Sequence, residues 1–219
     1  MVGCDTQLEP EDEVAKECLM QPIPGVLQPL EVGNYWLLDL WDEFGEIARS
    51  DRHEITGSFI SREDDSKVYF VKERNPPSDV KEILINTEVG LHSAGLIVGS
   101  DTVMAELVTW PYPSEVGEPF IKRLVMDDGN GGNIIGDFEF PYEVVSTGFS
   151  TVTSVKTYQT YVYEARSTTH PAFDHPLVEE FYHFAPGIGL VATNYRALTS
   201  DFPSSNWPTF RLREYCLMQ

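Results

Sequence analysis

Thr151-Val152-Thr153-Ser154-Val155-Lys156-Thr157-Tyr158-Gln159-Thr160-Tyr161-Val162-Tyr163 is the stretch that decides the fold class. Thr151, Thr153, Val155 and Thr157 alternate with Val152, Ser154, Lys156 and Tyr158, and Tyr161-Val162-Tyr163 continues the run. A period of two in β-branched and aromatic residues is strand chemistry: successive side chains point to opposite faces, and branched ones fit a pleated surface. The run lies inside the longest strand-rich stretch of the chain, Val144 to Arg166.

The same pattern extends in both directions. C-terminally, a loop rich in histidine and proline (Ser167 to Pro176) precedes a strand pair, Val178 to Phe184 and Leu190 to Leu198, around Pro186-Gly187-Ile188-Gly189, and Thr209 to Leu217 reads as a last strand. N-terminally, Phe120 to Met126 and Asn133 to Phe140 flank a glycine-rich hairpin connection. Thr102 to Trp110, Gly95 to Gly99, Val80 to Asn86 and Lys67 to Lys72 read as further strands. Ile47 to Ser61 follows the pattern with Gly57 as a bulge, and Asn34 to Trp41 is the first strand. Short connections and the absence of helical periodicity make the pairing antiparallel. The expectation is an all-β protein: a strongly curved antiparallel sheet, half-barrel or sandwich, with few or no helices. No repeat of fixed period and no composition shift divides residues 30–217, which are expected to form a single β domain.

Acidic residues outnumber basic ones 35 to 15, for a formal charge of −20, with 42% apolar and 12% aromatic residues to supply a core. Such a charge repels nucleic acid and anionic surfaces, so nucleic-acid binding is not expected. It suits a high-salt habitat and an ordinary acidic surface equally well.

Met1-Val2-Gly3-Cys4-Asp5 resembles the end of a bacterial lipoprotein signal, with a small residue before the cysteine. Residues 1–29 then read as a lipoprotein-like N-terminus and an acidic, proline-containing tether. On this reading Cys4 carries a lipid, which would be the chain's only hold on a membrane. Cys18 and Cys216 remain, one near each end of the domain. They are a candidate disulfide in an oxidising envelope or two thiols in a reducing cytoplasm, and their spacing does not choose. A bridge closing so long a loop would contribute roughly 5 kcal/mol by chain entropy.

Chemistry-bearing groupings are few. His170, Asp174, His175 and His183 form one cluster, a candidate set for a catalytic metal, although both His-Pro steps also suit a rigid loop. Asp127, Asp128 and Asn130 open a loop that partly imitates a calcium site, but Asn133 stands where that loop needs glycine. There is no nucleophile elbow and no phosphate loop, and no cofactor is expected. Tyr35, Trp36, Trp41, Trp110, Tyr112, Tyr158, Tyr161, Tyr163, Phe181, Tyr182 and Phe184 serve core packing, unless several line an open concave face.

Two motifs, Pro29-Leu30-Glu31-Val32-Gly33-Asn34-Tyr35-Trp36 and Phe184-Ala185-Pro186-Gly187-Ile188-Gly189-Leu190-Val191, resemble those of bacterial secreted proteins and lipoproteins of uncharacterised function, of the TapB or domain-of-unknown-function 3108 type. The resemblance implies a curved antiparallel sheet in the cell envelope, and it brings no catalytic residues. Gly33, Asn34, Trp36, Pro186, Gly187 and Gly189 are read as determinants of the fold. The expected function is that of a lipid-anchored, non-enzymatic envelope protein, exposed on the periplasmic or extracellular side and binding a partner protein or apolar small molecule. The alternatives are a metal-dependent hydrolase and a calcium-stabilised surface or adhesion module.

Overall fold

In the computed structural model, which describes residues 18–42, 44–60, 67–75, 80–127, 134–167, 178–197 and 209–218, the alternating pattern becomes strands and no helix. They are β1 (Cys18–Leu19), β2 (Tyr35–Trp41), β3 (Ile47–Ile60), β4 (Val68–Asn75), β5 (Val80–Thr87), β6 (Gly90–Val98), β7 (Asp101–Pro111), β8 (Pro119–Asp127), β9 (Ile134–Val152), β10 (Thr157–Ser167), β11 (Val178–Ala185), β12 (Gly189–Ala197) and β13 (Thr209–Met218). From β2 to β13 each strand pairs antiparallel with the next in the chain, and β13 also pairs with β2, so the strand order of this strongly curved sheet returns to its start. Among the described residues the ladder is thin between β7 and β8, where Val108 pairs with Lys122, and between β12 and β13.

Alternation assigns the faces. Trp36 and Leu38 of β2, Ile55 of β3, Leu84 of β5, Val144 of β9 and Leu212 of β13 are all buried in one cluster. Burying side chains of this kind contributes about 1.5–3 kcal/mol each. Trp110 sits among Phe120, Tyr142, Tyr163, Tyr182 and Phe184, with ring centroids 4.9–5.8 Å away. These aromatics pack against one another in and beside the core, Phe120 and Tyr182 being partly buried.

Three expectations need correction. The stretch from Val144 to Arg166 is a hairpin, turning at residues 153–156, where Thr153 Oγ1 accepts from the Val155 and Lys156 amides and donates to Lys156 O. The segment ending at Phe140 runs on through Pro141 as part of β9. Proline is tolerated there because Pro141 pairs only with β8, and the β9–β10 ladder begins one residue later at Tyr142. Residues 18–29, read as tether, dock on the domain: Leu27 and Gln28 are buried, and Met20 O accepts from Tyr215 Oη at 2.6 Å. Apolar Ile23 and Leu27 interrupt the polar composition there and supply the packing.

The two family-like motifs meet at this docked segment. Gly187 N–H donates to Val26 O (2.7 Å), Ile23 N–H donates to Gly187 O (2.8 Å), and Trp36 Nε1–H donates to Ile188 O (2.6 Å). Gly187 adopts φ +75°, and a Cβ there would lie 2.4 Å from Ile23 O, so both the conformation and the contact require glycine. Asn34 is fully buried: its side chain donates to Pro29 O and accepts from the Met218 amide, tying the entry of β2 to the end of β13.

Candidate functional site

The cleft begins as an irregularity in strand pairing. Between the pairs Tyr163↔Val144 and Thr160↔Phe149, β10 advances three residues while β9 advances five (163 to 160 against 144 to 149), so β9 carries two extra residues. A further register shift separates His183 from Phe184 on the β11–β12 ladder. Bulges bend a strand and re-aim its side chains. Here they leave a cleft of about 430 Å³ lined by Val145, Ser146, Phe149, Val162, Phe181, His183 and Asn194. Val162 and His183 are directly opposed across β10 and β11, as are Tyr163 and Tyr182 next to them. Tyr163 and Tyr182 both pack on Trp110, so the cleft lies on the opposite face of these strands from the Trp110 cluster.

Polar groups in the cleft are held by partners. Asn194 Nδ2 lies 2.9 Å from His183 Nε2, and His183 Nδ1 lies 2.9 Å from Thr151 Oγ1. Thr151 Oγ1 is 2.9 Å from Thr160 Oγ1, and Thr160 donates to Phe149 O at 3.1 Å. The last bond uses the Thr160 proton, so Thr151 donates to Thr160 and His183 Nδ1–H donates to Thr151. His183 is therefore the neutral Nδ1–H tautomer, with Nε2 accepting from Asn194. Burial, with Arg211 as the second cause, pushes its pKa down to about 4. Both ring nitrogens are occupied, and the Ser146 hydroxyl accepts from the Gly148 amide at 3.4 Å. What the arrangement offers is an apolar surface with a fixed, uncharged polar edge.

Several ion pairs lie away from the cleft. Fully buried Asp51 meets Arg74 at 2.5 Å and Arg49 at 3.2 Å, and Lys72 pairs with Glu82. Burial raises the Glu82 pKa, but Lys72 and a hydrogen bond from Ser93 outweigh it, and the net shift is downward. Beside them His53 is pushed down to about 3 by burial, then by Lys72 and Arg74. On β2, buried Asp39 accepts from Ser50 Oγ at 2.6 Å and faces Arg213 at 3.6 Å.

Cys18 and Cys216 are joined as a disulfide, with Cα atoms 5.3 Å apart. His183 is in the cleft, whereas His170, Asp174 and His175 lie outside the described residues, as do Cys4, Asp128 and Asn130. Asp127 is the last residue of β8. Among the described residues no three His, Cys, Asp or Glu side chains stand close enough to hold a metal ion. Val145, Phe149 and Asn194 were not singled out in the sequence. Nothing in their spacing marks them, because the extra residues on β9 appear only when β9 is paired with β10.

No family model matches this chain, the TapB and domain-of-unknown-function 3108 type included, and no curated protein matches it. Two solved structures are similar to it. One is a Bacteroides fragilis protein of inferred export with a YmcC-like fold, 13% identical, covering 86% of this chain and 97% of its own, with a TM-score of 0.48. The other is a lipoprotein by inference from Parabacteroides distasonis, 11% identical, covering 88% of this chain and 99% of its own, with a TM-score of 0.43. At these scores neither bears on what this chain does.

Proposed function

We propose that this chain is a non-enzymatic binding protein of the cell envelope, lipid-anchored at Cys4, whose cleft on β9–β12 takes an uncharged apolar ligand. The observation that carries the reading is the lining: Val145, Phe149, Val162 and Phe181 supply the walls, and no lysine, arginine, aspartate or glutamate is among the described lining residues. Small-molecule sites are typically apolar with a few placed polar groups, and here His183 and Asn194 are those groups. With His183 neutral, an anionic head group meets no charge among the described lining residues, and the chain charge of −20 repels it, against Arg211 as the nearby cation that acts on His183.

Titration with 1-dodecanol and with dodecanoate at pH 7.5, each displacing the uncharged dye N-phenyl-1-naphthylamine, tests this. Dodecanol is expected to bind saturably and at least about tenfold more tightly than dodecanoate, a difference of about 1.4 kcal/mol. Phe149→Ser, at a half-exposed position that does not threaten the fold, is expected to weaken dodecanol binding. Equal affinities, or no displacement, would contradict the reading.

A further inference from the structure

The tripeptide Glu-Val-Gly occurs three times, at residues 31–33, 88–90 and 115–117. Strand direction alternates through the sheet, so the turns at 88–89 and 112–118 and the entry to β2 all lie at one end. The three sites are linked along that rim. Gln28 O accepts from Asn86 Nδ2 just before the second triplet, and Val89 O accepts from the Tyr112 amide in the loop that carries the third.

Turn chemistry accounts for the glycines. Asn34 N–H donates to Glu31 O and Glu118 N–H donates to Glu115 O, which closes two four-residue turns whose third residue is a glycine at φ +99° or +90°. It does not account for the valines, which project at the tips with 38%, 58% and 61% of their surface exposed. Met20 and Val155 are exposed at the same end, Val155 in the β9–β10 turn. Scattered single apolar residues are ordinary on a surface, whereas one recurring in the same tripeptide at three places on a single rim marks a contact face. At the opposite end Phe44, Ile47 and Val80 are exposed, two of them in one hairpin.

We propose that the rim carrying Val32, Val89 and Val116 rests on a zwitterionic lipid surface. β1 pairs with the end of β13 at this rim, Cys18 opposite Met218. The 13 residues between Cys4 and Cys18 can span at most about 45 Å, so a lipid on Cys4 would hold this end toward the bilayer. In that respect the inference rests on the anchor proposed above. Glu88 and Glu115, beside Val89 and Val116, favour the outward ammonium groups of zwitterionic headgroups, and the charge of −20 disfavours anionic ones.

With Cys18 and Cys216 bridged, Cys4 is the remaining cysteine and can be coupled to a maleimide lipid in phosphatidylcholine vesicles, whether or not it is lipidated in the cell. Amides at 31–34, 88–90 and 115–118 are expected to exchange hydrogen roughly threefold or more slowly in the coupled than in the free protein. The triple variant Val32→Ser/Val89→Ser/Val116→Ser is expected to lose that slowing with its melting temperature and dodecanol binding unchanged. Val116→Ser alone loses it at 115–118, which keeps the test open if the triple variant does not fold. Identical exchange in coupled and free protein would overturn the proposal and leave the rim to a protein partner. Slowing that appears at Phe44 and Ile47 instead, or that survives the triple substitution, would overturn it too.

Discussion

Gly187 and His183 show how much can depend on one side chain here, through a missing Cβ in one case and a missing charge in the other. Gly187→Ala drives a Cβ to 2.4 Å from Ile23 O at φ +75° and is expected to destabilise the protein by about 2 kcal/mol or more in chemical denaturation. His183 titrates at about 4 in the folded protein against an ordinary value of 6.5. Between those values the unfolded chain binds more protons, so its contribution to stability is complete above pH 6.5 and is lost as the pH falls toward 4. His53, pushed down to about 3, acts in the same direction and over a window reaching lower. The melting temperature is therefore expected to fall on acidification from pH 7 to pH 4, and to fall less in His183→Gln, whose amide can still donate to Thr151 and accept from Asn194. The turn role of Gly187 was legible, since glycine after proline between two strands reads as a turn. That Ile23 closes on it was not, because a contact across more than 160 residues leaves no local pattern.

Among the elements, the β9–β10 hairpin is the clearest case of a pattern that misleads. Thr153 and Val155 are good strand residues by composition, and alternation carries straight through them. The chain turns because the Thr153 hydroxyl satisfies three backbone groups of the turn locally, in competition with a continued ladder. Thr153→Val keeps the shape and removes the hydroxyl. It is expected to cost about 1 kcal/mol, measured by urea denaturation, with the loss concentrated in hydrogen exchange of the 152–157 amides. The bulge at Gly57 was legible because glycine inside a strand pattern signals one, and the β3–β4 register does shift between Ile55 and Gly57. On β9, Gly148 lies within the shift between Ser146 and Phe149 and is a signal the sequence offered for that bulge, whereas nothing in the residues marks the second shift, between Val144 and Ser146.

At the scale of the whole molecule, the all-β class and antiparallel pairing followed from period two and short connections. Closure of the strand order through β13 and β2 did not, since it joins the ends of the chain. The curvature places a packed aromatic interior on one face of β9–β12 and the cleft on the other, so the apolar content reads as two separate populations, one filled and one open. The account's central claim is that the open one is the binding site. The most direct measurement is a titration of isotope-labelled protein with 1-dodecanol, followed by NMR chemical shifts. Saturable changes centred on Val145, Phe149, Val162, Phe181 and Asn194, with Trp110 and Tyr163 undisturbed, are the result expected. Changes centred on the Trp110 cluster, or none up to the solubility of the alcohol, would contradict it.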